Sequence, residues 1–265
     1  MPLKLGGSTR LHFVAGDPIA QVKSPPAITA ALQRRGIDAV VIPAHVGAED
    51  FATWLAAVVR MRNLDSVIVT VPHKFEAFRV AATSSSEAAF LRAANVLRRK
   101  GEGWHAEMFD GSGFIQAMRS KQSNPRDQSA LVLGAGGAGT AIAHSLAMAG
   151  VRSLALFDQD RSRSEALASR LGELHLCKVE VLNAPTTDCD IVINASPAGM
   201  QGFTAVPIDL SRLKRSQFVG CVVTSPSVTA LIEAARSRGC VTVTGEEMFE
   251  QVGGLIDECL SSPAP

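Results

Sequence analysis

No sign of charge dominates this chain: 26 lysines and arginines stand against 25 aspartates and glutamates. So close a balance creates no net field to draw nucleic acid or an anionic membrane, and no local basic stripe makes up for it. The five cysteines, at 177, 189, 221, 240 and 259, are odd in number and contain no CxxC pair. Neither a zinc cage nor a disulfide framework is indicated, so no metal is expected. The pattern fits reduced thiols in a cytoplasmic protein. There is no run of ~18 or more uninterrupted apolar residues, the length a membrane span needs. The most apolar stretch, Phe218 to Ala235, is broken by Ser225-Pro226-Ser227, and the start MPLKLGGSTRLHF lacks a signal-peptide core. Tyrosine is absent altogether.

What is present reads as globular, with 46% hydrophobic and 19% charged residues. A chain of 265 residues is long enough for one large domain or two modest ones. Strand patterns over Leu11–Ala15, Ala39–Ala44 and Ser66–Val71 alternate with helical ones over Ala27–Arg35 and Glu49–Met61. Pro43 places the second strand at an edge or a strand end. Helical segments around Phe75–Ala82 and Glu87–Ala93 precede a hairpin, Asn95–Arg99 with Trp104–Glu107, turning at Lys100-Gly101-Glu102-Gly103. Beyond Asp110, helices over Ser112–Ser120, Ala138–Ala149, Arg161–Leu171, Thr229–Arg238 and Glu246–Leu260 are expected. Strands are expected at Ala130–Leu133, Ser153–Phe157, Val179–Val181, Ile191–Asn194, Phe218–Val223 and Cys240–Val243. Alternation of this kind implies right-handed crossovers and a mostly parallel sheet, an α/β fold.

The strongest local signal runs from Ala130 to Gly139, ALVLGAGGAG. Gly134, Gly136 and Gly139 follow an apolar strand and open a helix, the context a dinucleotide turn requires. Gly134 permits the tight turn, Gly136 lets the backbone approach a pyrophosphate, and Gly139 lets the helix pack on the strand. Ala135, Gly137 and Ala138 complete the turn, and the helix start offers free N–H groups and positive dipole. The next strand ends at Asp158-Gln159-Asp160. A carboxylate at Asp158 suits the ribose hydroxyls of NAD and repels the 2′-phosphate of NADP. Arg161 and Arg163, just beyond, leave room for NADP, and FAD is a further alternative. NAD is the expected cofactor.

Gly16-Asp17-Pro18 with Ser24-Pro25, then Val69-Thr70-Val71-Pro72-His73-Lys74, open a series of motifs along the chain. In them the sequence resembles the shikimate dehydrogenase family over nearly its whole length: the first looks like that family's substrate loop and the second like its lysine motif. Ala93-Ala94-Asn95 and Asp110-Gly111-Ser112-Gly113-Phe114 match its next signatures. Asn194-Ala195-Ser196-Pro197-Ala198-Gly199-Met200 matches its loop after a Rossmann strand, and Gln251 its terminal-helix glutamine. The resemblance implies an N-terminal α/β substrate domain, a Rossmann-type parallel-sheet domain and a C-terminal helix returning to the first. Segments 1–110 and 244–265 would bind substrate and 111–243 NAD, with the active site in the cleft between them. It makes Lys74 the general acid/base and Asp110 its partner. Ser24, Thr70, Asn95 and Gln251 would contact a small-molecule substrate. Asn194, Ala195, Ser196, Pro197 and Met200 would border the cofactor, as would Val223, Gly245 and Met248. A monomer or homodimer is implied.

Lys74 has a rival in His73, and each polar candidate has a plainer role: Ser24 as a helix cap, Asn95 in a turn, Gln251 on a polar helix face. Several family positions are changed here. Val22 replaces a serine, Ile68 an asparagine, Met108-Phe109 an Asn-Thr pair, and no tyrosine stands near Val223-Thr224. Each change removes a hydrogen-bonding group worth roughly 0.5–1.5 kcal/mol to a polyol. The leading expectation is an NAD-dependent dehydrogenase of a shikimate- or quinate-like ring. The alternatives are a dehydrogenase for a less polar hydroxy acid and a catalytically idle NAD-binding protein.

Overall fold

The computed structural model describes residues 5–20, 22, 24–203 and 205–262. Met1–Lys4, part of the stretch read for an apolar leader, lie outside them. The chain divides into two units: Met1–Phe109 with Gly253–Pro265, and Asp110–Val252. The boundary expected at 243/244 falls instead inside the last helix, between Val252 and Gly253.

The first unit is built on a six-stranded sheet of order β2-β1-β3-β5-β6-β4. Its strands are β1 (Arg10–Gly16), β2 (Ala39–His45), β3 (Leu64–Val69), β4 (Thr83–Ser84), β5 (Val96–Lys100) and β6 (Gly103–Glu107). β1, β2 and β3 are parallel neighbours, as crossovers through α1 (Ser24–Arg34) and α2 (Phe51–Val58) require. The expected hairpin forms: β5 and β6 pair antiparallel, with Lys100 opposite Gly103. Pro43 sits on β2, an edge strand, where its missing N–H leaves no ladder bond unmade. α3 (Lys74–Val80) and α4 (Ser86–Leu91) link β3 to β5. Ser85 caps α4 by accepting the Ala88 N–H at 3.3 Å, and Arg92 ends it in the left-handed region at φ 50°.

The second unit holds a wholly parallel sheet of order β12-β11-β10-β7-β8-β9. Its strands are β7 (Ser129–Leu133), β8 (Ser153–Phe157), β9 (Lys178–Val181), β10 (Ile191–Asn194), β11 (Phe218–Cys221) and β12 (Val241–Val243). Every residue of β10 is buried, the near-continuous apolar pattern of a parallel strand covered on both faces. Its helices are α5 (Asp110–Ser120), α6 (Gly137–Met148), α7 (Arg161–Gly172) and α8 (Ala230–Ser237). The final helix, α9 (Gly245–Ser261), crosses the division, so its last turns belong to the first unit. There Asp257 pairs with Arg35 at 2.6 Å.

Small residues on α5 serve packing. A Cβ at Gly111 would meet the Ala141 carbonyl oxygen of α6 at 2.3 Å, and one at Gly113 would meet a Val252 methyl of α9 at 2.4 Å. The fold departs from the sequence expectation in a few places. α1 begins at Ser24, ahead of Ala27, with Pro25 and Pro26 in its first turn. β11 stops at Cys221, so Val223 lies beyond the strand. The two-residue β4 and a 3-10 turn at Leu210–Arg212 were not expected, being too short to carry a period.

Candidate active site

In the first unit, the carboxyl ends of β1, β2 and β3 are tied together by main-chain bonds. The Thr70 N–H donates to the Ala15 carbonyl at 3.0 Å, the Asp17 N–H to Val71 at 3.0 Å, and the Val46 N–H to Gly16 at 3.3 Å. The turn that follows β3 is closed by the His73 N–H donating to the Thr70 carbonyl at 3.0 Å. Lys74 is the first residue of α3 and half-buried. Its carbonyl accepts the Ala94 N–H at 2.9 Å, which joins the start of α3 to the segment carrying Asn95.

His73 is 1% exposed. Its ring lies flat on Phe51, with centroids 4.2 Å apart and planes 1° from parallel. Nε2 is 2.8 Å from the Val46 carbonyl oxygen, so that nitrogen carries the proton and donates it. A ring buried and committed in this way anchors the turn and is not open to a substrate. Val46 and Phe51 are the two supports that sequence reasoning did not single out, because neither lies near His73 along the chain.

Asn95 is 3% exposed, and its Oδ1 accepts the Phe109 N–H at 3.1 Å. Its main chain bridges β3 and β6, donating to the Glu107 carbonyl at 3.0 Å and accepting from the Val69 N–H at 2.8 Å. Asn95 therefore fixes the backbone one residue before Asp110. Ser24, the first residue of α1, and Thr70 are half-buried. Ile68 packs within the sheet, opposite Val14 on one side and Val96 on the other. Met108 is also buried. The apolar character of both is accounted for by packing. Val22 and Phe109 are half-buried, and Thr224 is exposed.

In the second unit, Asp110 opens α5 and Gln251 lies on α9, both half-buried. The glycine turn has the shape its motif implies. Gly134 has φ +99° and donates its N–H to Phe157 at 2.7 Å. A Cβ at Gly139 would stand 1.8 Å from the Gly134 oxygen, so α6 meets the turn with no room for a methyl group. At Gly136 and Gly137, which begin α6, an added Cβ would meet nothing within 4 Å. The backbone there is open to an approaching pyrophosphate. Ala135 and Ala138 are half-buried between them.

Asp158 braces this turn. Its Oδ2 accepts the Ala135 N–H at 2.7 Å and its Oδ1 the Asp160 N–H at 2.9 Å. Gln159 is exposed. Asp160 caps α7 through the Ser162 N–H at 3.2 Å, and bonding to Ser162 lowers its pKa below the usual carboxylate value. Nearby, Arg161 pairs with Glu165 at 2.7 Å and Arg163 with Asp160 at 3.3 Å. The Asn194 amide is fully buried and shapes the loop after β10. Nδ2 donates to the Ala198 carbonyl at 2.8 Å, while Oδ1 accepts from the Ser196 hydroxyl at 2.6 Å. Ala195 donates its N–H to Leu133 at 2.8 Å, whereas Pro197 and Met200 are exposed. A Cβ at Gly245 would fall 2.4 Å from the Val222 oxygen and 2.5 Å from that of Val223, which brings the start of α9 against this backbone. Val223 and Met248 are buried.

Residues 14–97 match the family model described as the shikimate dehydrogenase substrate binding domain. The chain is 37% identical to the shikimate dehydrogenase (NADP(+)) of Acidiphilium cryptum over 92% of its own length and 88% of that protein's. It belongs to the shikimate dehydrogenase family. The ThiF family model also matches, but only over residues 113–168, a likeness limited to the glycine turn and its flanks. Among solved structures, the quinate dehydrogenase of Corynebacterium glutamicum in complex with NAD is 27% identical with a TM-score of 0.87, covering 97% of this chain and 95% of that one. Shikimate 5-dehydrogenase of Listeria monocytogenes in complex with shikimate and NAD has a TM-score of 0.91 at 24% identity, covering 99% and 95%, and shares the fold. This family member is thus an oxidoreductase of the shikimate/quinate dehydrogenase type that uses a nicotinamide dinucleotide. The open backbone at Gly136 and Gly137 fits such a cofactor.

Proposed function

We propose that the chain interconverts a cyclic hydroxy acid of the shikimate or quinate type and its keto form, with NAD(H) as the redox partner. Lys74 is the general acid/base and Asp110 its partner. The observation that carries the reading is the way β3 delivers Lys74: a turn locked by the buried His73 sets the lysine at the first position of α3. The backbone of Lys74 is thereby fixed at the carboxyl end of β3, with its carbonyl held by the Ala94 N–H.

When bound, the nicotinamide supplies or accepts the hydride. The protein supplies the proton. In the reducing direction the Lys74 ammonium donates a hydrogen bond to the substrate carbonyl oxygen, polarises it, and transfers its proton to that oxygen as negative charge develops there. In the oxidising direction the neutral amine takes the hydroxyl proton. The Asp110 carboxylate balances the ammonium charge and orients it. Ser24, Thr70, Asn95 and Gln251 hold the carboxylate and hydroxyls of the ring.

The Acidiphilium cryptum relative is named for NADP(+), whereas the Corynebacterium glutamicum neighbour was solved with NAD. The choice in this chain rests on its own turn. Asp158 and Asp160 place negative charge beside the adenosine ribose position, and the two arginines that follow are already ion-paired. A 2′-phosphate meets repulsion there without a waiting counter-charge. Initial rates at 340 nm with shikimate and with quinate, each with NAD and with NADP, test the reading. NAD-linked turnover of at least one of the two acids is the expected result. Absence of turnover with every pairing, while dinucleotide still raises the melting temperature, would overturn it.

A further inference from the structure

The first unit holds a polar cavity at the opposite end of β1 and β3 from Thr70 and Lys74. It has a volume of about 400 Å³, within the range of small-molecule sites. Four arginines line it, Arg10, Arg62, Arg98 and Arg99, against one acid, Asp65, and one histidine, His12. Part of this wall is written into the sheet. His12, Ser66 and Arg98 are register neighbours across β1, β3 and β5. The next two rows along the same strands are apolar, Phe13–Val67–Leu97 and Val14–Ile68–Val96. A polar row that is largely buried carries a desolvation cost that an apolar row would avoid, and this one faces the cavity.

The groups are held in place. His12 Nδ1 and Ser66 Oγ are 2.7 Å apart and both residues are buried. Arg98 donates to the Ser262 carbonyl at 2.6 Å and Arg99 to the Met61 carbonyl at 2.7 Å. Arg10 forks onto Asp65 and reaches the Arg62 carbonyl at 3.0 Å. Burial pushes the His12 imidazole down to about 4, so it adds no positive charge at neutral pH. The lining is thus four cations to one anion, and it contains no phenylalanine or tryptophan and a single aliphatic side chain, Leu260. Such a wall suits an anionic, strongly hydrated ligand. Guanidinium forks match phosphate oxygens in both geometry and charge.

We propose that this arginine-lined cavity is a binding site for a small phosphate monoester of sugar-phosphate size. The proposal does not depend on the identity of the hydride acceptor, and its test reads binding, not turnover. The experiment is calorimetric titration of the full chain with glucose 6-phosphate and with glucose, at fixed ionic strength and with saturating NAD to occupy the glycine turn. The parent and the Arg62→Ala and Arg99→Lys variants are compared. Arg62 is exposed and its side chain makes no hydrogen bond or ion pair among the described residues, so Arg62→Ala keeps the fold, as its melting temperature will report. The expected result is saturable binding of glucose 6-phosphate but not glucose, weakened tenfold or more by each substitution. The His12 ring nitrogen resonances should move on titration, which locates the ligand. No saturable heat, affinity unchanged in both variants, or unmoved His12 resonances would each overturn the proposal.

Discussion

Replacing His73 by phenylalanine keeps a ring against Phe51 but takes the donor from the Val46 carbonyl. A buried acceptor left without a partner costs roughly 1–3 kcal/mol. Urea unfolding of His73→Phe should show a loss of that size, whereas a change below about 0.5 kcal/mol would contradict the anchoring role. His12 offers a residue-scale test in pH. An unfolded imidazole titrates near 6.5, while burial holds the folded one down to about 4, helped by Arg10 and Arg98 and opposed by Asp65. Between these values the unfolded chain binds a proton that the folded chain does not. Stability is therefore fully present above pH 6.5, falls as pH drops through that window and levels off below it, by up to about 3 kcal/mol in total. Urea midpoints at pH 7.5 and pH 5 should draw apart in the parent and much less in His12→Asn. An equal drop in both proteins would assign the acid sensitivity elsewhere.

At the scale of single elements, the turn between β7 and α6 distinguishes two kinds of glycine. Gly136→Ala puts a methyl group where no protein atom lies within 4 Å, so the fold is unaffected and only a bound pyrophosphate is crowded. Gly139→Ala drives a methyl group into the Gly134 carbonyl, so the packing of α6 itself fails. Calorimetry and thermal melts should separate them, with Gly136→Ala melting like the parent but binding dinucleotide at least tenfold more weakly, and Gly139→Ala losing stability. The strand, turn and helix here were legible in the sequence because apolar run, glycine spacing and helix start are all local. The roles of His73 and Asn194 were not. His73 finds its acceptor on Val46, 27 residues away in sequence, and Asn194 turns inward to shape its own loop instead of facing outward. Motif letters name a residue but not the direction its side chain takes.

For the molecule as a whole, alternation of strand and helix patterns implied an α/β chain with a mostly parallel sheet, and both sheets bear that out, the second entirely. Pro43 pointed to an edge or a strand end, and β2 is an edge strand, since a missing N–H has few places in a sheet. The antiparallel pairing of β3 with β5, and β4 beside β6, were not legible, because neighbour order in a sheet is set by long-range packing. Nor was the division of α9 between two units, since the helix is continuous in pattern. Among the described residues no helix is long and apolar enough to cross a membrane. The charge at the dinucleotide turn makes a prediction for the enzyme as an intact catalyst: Asp158→Ala with Asp160→Ala, which removes two carboxylates, should shift the NAD-over-NADP preference toward NADP by about tenfold or more, a factor of ten being about 1.4 kcal/mol. An unchanged ratio of kcat/KM values would remove these carboxylates from cofactor selection. The central claim is that Lys74 moves the proton. Its most direct test is kcat for the better of shikimate and quinate in the parent, Lys74→Ala and Asp110→Asn, with dinucleotide affinity measured on the same preparations. The account predicts that kcat falls by 10²-fold or more in Lys74→Ala, substantially in Asp110→Asn, and that dinucleotide affinity stays within about threefold in both. A Lys74→Ala variant that turns over at close to the parental rate would contradict it.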